Sequence, residues 1–147
     1  MCQRIGMVAL LLAVVASAFA RKEETLEQLA ARADSAHVDQ QPNLCMEVAE
    51  RALKAGTDAY KANQDDQFRS SLQQVITYSD KARSAAINSR KHIKSTEIKI
   101  RKISERLKDL KLNVNYDDQA TVQAVIDKLE KFRTDLLQSM FGSRSND

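Results

Sequence analysis

Backbone breakers are nearly absent from this chain: its 147 residues contain three glycines and one proline, and neither occurs between Ala62 and Leu112. That scarcity excludes a turn-rich β-sandwich or barrel and points to helix throughout. Cysteine is equally scarce, with only Cys2 and Cys45, and Cys2 falls in an amino-terminal segment expected to be removed. The remaining chain therefore has no internal disulfide, although it is expected in a compartment where disulfides form. Cys45 lies among Leu44, Val48 and Ala49, the setting of a small buried hydrophobe rather than a reactive thiol. There is no tryptophan, and no aromatic residue interleaves with the cations as a base-stacking platform requires.

The usual chemical constellations are missing as well. His37 and His92 are the only histidines, 54 intervening residues apart, and neither has a second ligand at i+3 or i+4. A metal site needs a richer set of ligands. Met46 or Met140 paired with His92 is the sole conceivable haem ligation, but no Cys-x-x-Cys-His segment exists to attach the group. Glu47 and Glu50 lack the Glu-x-x-His partner of a di-iron carboxylate centre. Ser70, Ser71, Ser79 and Ser84 fall inside a predicted helix with neither a glycine elbow nor a neighbouring histidine. No cofactor is expected, and the expectation is a protein that is not an enzyme.

What the chain does have begins with an address. Residues 1–20 read as a secretory signal: Arg4 is the sole charge, Met7 to Ala16 is apolar, and Ala18-Phe19-Ala20 supplies small residues around a cleavage site after Ala20. The apolar run falls short of the ~20 residues that span a bilayer, and no other segment of the mature chain is a transmembrane candidate. A secreted or periplasmic protein is expected, with residues 21–141 as one helical domain and 142–147 as a flexible tail. Charge is divided along it. Residues 21–80 carry seven Lys/Arg against eleven Asp/Glu, whereas residues 81–147 carry fifteen against nine. Such separation orients encounters but says little about fold.

The strongest pattern is a heptad seam: Phe68, Leu72, Val75, Ser79, Ala82, Ala86, Ser89, Ile93, Thr96, Ile100, Ile103, Leu107 and Leu110 recur at alternating four- and three-residue steps. It predicts one unbroken helix over 66–112, roughly 70 Å long. Around it, Thr25-Leu26-Glu27-Gln28 has the spacing of a capping box that opens a short helix over 25–38. Pro42 ends that helix and Asn43 caps a second, over 43–62, whose apolar face is so wide that it needs two neighbours. Gly56 among alanines there lets two backbones approach closely. Asp65 or Asp66 caps the long helix, and Asp117 or Asp118 caps a last one, over 118–141, with Val122, Val125, Ile126, Leu129, Phe132, Leu136 and Met140 on its apolar face. The fold class is all-α, an elongated antiparallel bundle of coiled-coil hairpins built on one long central helix. Its small middle, Ser79 to Ser89, is either a close helix contact or a place to bend.

Two surfaces are candidates for function. Ile76, Ile87 and Ile98, eleven residues apart and off the seam, form a stripe that a second protomer would cover, making a protein partner or homo-oligomer the expected company. Arg90, Lys91, Lys94, Lys99, Arg101 and Lys102 form a basic run suited to an anionic membrane surface or polymer, without specific nucleic-acid recognition. Against that stands the plain alternative of a solvated face neutralised locally by Glu97, Glu105 and Asp109.

Overall fold

A computed structural model describes residues 23–142. Among them are five helices: α1 (Leu26–Ser35), α2 (Gln41–Lys61), α3 (Asp65–Ser89), α4 (Ile93–Asn113) and α5 (Tyr116–Phe141). The signal segment, its cleavage site and the tail beyond Gly142 lie outside the described residues.

The expected single helix over 66–112 is two helices. α3 stops at Ser89, and Arg90 and His92 both take left-handed backbone, with φ of 56° and 61°. Local chemistry favours the stop. The Ser89 hydroxyl donates to the Ala85 carbonyl at 2.7 Å and accepts from the Lys91 backbone N–H at 3.3 Å, so its side chain competes for groups a helix would use. Arg90 and Lys91 place positive charge at the negative end of the α3 dipole. His92 then offers its carbonyl to the Thr96 N–H at 2.8 Å, starting α4.

The chain is the expected all-helical bundle, but the reversal replaces its single long central helix with two stacked hairpins. α2 and α3 form one antiparallel hairpin, and α4 and α5 form another. The hairpins stack so that α3 lies beside α5 and α4 beside α2. Both hairpin loops sit at the same end, where the Asn115 N–H donates to the Tyr60 hydroxyl at 2.6 Å. The α3–α4 turn lies at the other end, where Lys91 meets Asp39 of the α1–α2 connection. α1 packs antiparallel to α2 on the side away from α4, its Asp34 reaching Tyr78 and Lys81 of α3.

The heptad seam survives the break as two half-seams facing one shared core. Phe68, Leu72, Val75, Ser79, Ala82 and Ala86 are buried on α3, and Thr96, Ile100, Ile103 and Leu107 on α4. They meet Val122, Val125, Ile126, Leu129 and Leu136 of α5 in one cluster that continues to Leu29 and Ala33 of α1. Each hairpin thus covers the seam of the other. The isoleucine stripe is also divided: Ile76 and Ile87 are half-buried at the margin of the core on α3, while Ile98 sits on α4, beyond the turn.

Helix starts differ instructively. The Thr25 capping box is present, with the Gln28 N–H on the Thr25 hydroxyl and the Thr25 N–H on the Gln28 side chain. Pro42 does not precede α2 but sits buried in its first turn, where a missing N–H leaves no bond unmade, and Asn43 is therefore inside the helix rather than its cap. The acidic pairs Asp65-Asp66 and Asp117-Asp118 occupy first turns rather than caps, which are Gln64 and Asn115. There their charge opposes the positive helix end. Gly56 allows a close helix approach, since a Cβ there would lie 2.9 Å from the Ser71 Cβ.

Candidate functional site

The two hairpins do not close evenly. At the loop end α2 and α4 diverge around an open groove of about 880 Å³, floored by Leu53, Tyr60 and Leu110. Tyr60 is held by its tilted stack on Phe68, ring centroids 4.9 Å apart, and by the bond its hydroxyl accepts from Asn115. Lys54 and Asp58 pair along one wall at 2.9 Å. That pairing holds the Asp58 carboxyl below the usual carboxylate range and raises the Lys54 ammonium, so both remain charged. Lys61 and Arg106, also lining the groove, have no ion-pair partner among the described residues. The groove offers apolar contact, fixed dipoles and charges of both signs, since Asp65 and Asp109 also line it and, like Lys61 and Arg106, have no ion-pair partner among the described residues. It lines no histidine, cysteine or serine, and its one hydroxyl besides Tyr60, that of Thr57, is spent on the Leu53 carbonyl at 2.9 Å. Sequence periodicity missed this site because it lies between helices that are far apart in the chain.

The basic run is redistributed by the turn. Arg90 and Lys91 stand in the connection, while Lys94, Lys99, Arg101 and Lys102 lie on α4. Lys91 pairs with Asp39 at 2.5 Å, and Lys99 reaches Asn43 at 3.5 Å. Arg90, Lys94, Arg101 and Lys102 are exposed and have no acidic partner among the described residues. Glu97 does not neutralise them. It is only 6% exposed and turns inward to Arg133 of α5 at 2.9 Å.

That pair belongs to a network that the sequence did not disclose. Arg133 also binds Glu130 at 2.7 Å, and Glu130 accepts from the Ser104 hydroxyl at 2.7 Å with Lys108 at 3.5 Å. Desolvation works against the Glu130 charge, but Ser104, Arg133 and Lys108 outweigh it and hold the carboxyl below its ordinary range. On the other flank Arg83 of α3 joins Asp80 to Asp135 of α5 and lies over the Phe132 ring. The available signal was Glu97 itself, an isolated acid in a basic stretch, one residue from the seam position Thr96.

Cys45 is fully buried, and burial, with the nearby Asp34 charge, pushes its thiol up to about 11. It behaves as a core residue. The two histidines, distant in sequence, both come to the α3–α4 end. Asp39 there is held below the usual carboxylate range first by the Lys91 hydrogen bond, with smaller contributions from the charges of Lys91, His37 and His92. No group of three or more metal-ligating side chains occurs among the described residues, and no described helix is long and apolar enough to cross a membrane. Comparison with protein-family models, with characterised proteins and with solved structures finds no match to this chain.

Proposed function

We propose that this is a non-enzymatic helical interaction protein, exported to the cell envelope or extracellular space, that meets a protein partner through the groove between α2 and α4. One observation carries the reading: the bundle closes its own core, yet leaves a groove with an apolar floor of Leu53, Tyr60 and Leu110 whose rim carries Lys61, Arg106, Asp65 and Asp109, none with an ion-pair partner among the described residues. A concave, partly apolar floor with unpaired charges of both signs at its rim is the arrangement of recognition sites rather than of stability. The adaptor role is tested by affinity capture from the native envelope with wild type and with the Lys61→Glu/Arg106→Glu variant. A partner held saturably by wild type and lost from the variant supports the groove; one retained by both moves the site elsewhere. Export is tested by the mass of the native protein, which should begin at Arg21.

A second reading, binding of anionic surfaces or polymers, is favoured by the inward turn of Glu97. With that acid engaged by Arg133, Arg90, Lys94, Arg101 and Lys102 are exposed and without an ion-pair partner among the described residues, a setting for salt-sensitive attraction to phosphates.

A further inference from the structure

One end of the bundle combines three features that nothing in the core requires. The antiparallel pairing of α4 and α5 is fixed by Glu97 with Arg133 and by Lys111 with Gln123. Continued to the end of α5, it carries Phe141 past the first turn of α4, to the end of the bundle that holds the α3–α4 turn. The Lys91–Asp39 bridge brings the α1–α2 connection, with Val38, to that end too. Phe141 is 61% exposed and Val38 39%. The acids nearby are already engaged: Asp39 by Lys91, Asp34 by Lys81, Asp80 and Asp135 by Arg83, and Glu97 by Arg133. Arg90 and Lys94 have no such partner among the described residues. Exposed apolar side chains therefore share one end of the bundle with cations that have no ion-pair partner among the described residues, while the acids named are engaged.

We propose that this end of the bundle docks on an anionic lipid bilayer, Phe141 and Val38 entering the boundary between headgroups and acyl chains while Arg90 and Lys94 meet lipid phosphates. The proposal rests on the second reading and sharpens it from anionic surfaces in general to lipid. The apolar pair decides the choice: a soluble polyanion would be held by cations alone, along the α4 flank where Arg101 and Lys102 lie, and would gain nothing from an exposed Phe141. A lipid surface rewards both, because partition combines buried apolar area with attraction to anionic headgroups.

The test uses the chain from Arg21 onward, sedimented with vesicles of phosphatidylcholine containing one third phosphatidylglycerol, with pure phosphatidylcholine vesicles and soluble polyphosphate as parallel arms. Wild type should bind the anionic vesicles, release with salt, and ignore the neutral ones. Phe141→Ser, a change at an exposed position that leaves the core untouched, should weaken vesicle binding roughly tenfold while leaving polyphosphate binding unchanged. Lys94→Glu should weaken it by at least about fivefold, the worth of one cation near an anionic surface. Helical circular dichroism checks that each variant is folded. If wild type binds polyphosphate but not vesicles, or if vesicle binding survives Phe141→Ser and Val38→Ser and is lost only on Arg101→Glu/Lys102→Glu, the lipid-docking end is refuted while the second reading stands. Binding to neither probe refutes both.

Discussion

The two hairpins reach stability by different means. Where α2 meets α3, small side chains are prominent: Gly56 lies against Ser71, and Ala49, Ala52, Ala59, Ala82 and Ala86 are buried on the two helices. Where α4 meets α5, Ile100, Ile103, Leu107, Leu129 and Leu136 fill the core, and a partly buried ionic network, Glu97, Arg133, Glu130 and Ser104, ties the flank. Small residues bring backbones together and make the first hairpin intolerant of added volume. The charged network makes the second intolerant of losing one partner, because the other is left desolvated.

The largest effect should come from breaking the network. Arg133→Ala would strand Glu97 in a buried position and lower stability by about 3–5 kcal/mol, read from urea unfolding. Replacing both partners by Met should recover most of that loss. A cost under about 1 kcal/mol for Arg133→Ala would mean that the second hairpin, like the first, rests on apolar packing alone.

Added volume is the corresponding test of the first hairpin. Ala82→Leu should destabilise by about 1–3 kcal/mol through overpacking. Gly56→Ala should also destabilise, because the new methyl meets Ser71 and this outweighs the gain of about 1 kcal/mol in helix propensity. Stabilisation by either change would show that the helices are not in close contact there.

The turn between the hairpins has a test whose sign decides. With Arg90 in left-handed geometry, Arg90→Gly should relieve strain and raise stability by about 1 kcal/mol in thermal unfolding. In a continuous helix the same change would lower it by about as much.

Acid titration should give the smallest difference. A carboxyl whose folded pKa lies below its unfolded value adds stability above the unfolded value and loses it as pH falls through the folded one. Glu130 is of this kind, its ordinary value being 4.5. Glu130→Gln should therefore be less stable than wild type near neutrality, with the gap closing as pH drops below 4.5 and on toward the lowered folded value. The effect is modest because the side chain is 37% exposed and solvent screens it. A gap independent of pH would mean that the Glu130 charge adds nothing.

The legible parts of this protein were those written in local chemistry or helical period. The Thr25 capping box, the close approach at Gly56, the burial of Cys45 and the seam residues from Phe68 to Leu107 all lie where sequence reasoning put them. The seam misled only about continuity. A heptad phase records which side of the chain is apolar, and that side stays apolar whether the helix runs on or turns back after Ser89. Signals for the turn were present in Ser89 and in the cations at the α3 terminus, but each is compatible with a helix interior. The candidate surfaces depend more on tertiary placement. The Ile76, Ile87 and Ile98 stripe presupposed a straight helix, whereas the groove at Leu53, Tyr60, Leu110 and Arg106 draws on helices with no sequence relation to one another.

Backbone propensity, side-chain period and charge are enough to make the chain helical, to set the apolar face of each helix and to make the second half basic. They do not dictate that two hairpins cover each other, that Glu97 faces Arg133 instead of its basic neighbours, or that Phe141 and Val38 share one end of the bundle with Arg90. Those outcomes depend on where separate helices meet in space, and a sharp turn of three residues, worth little energy locally, redirects half the molecule.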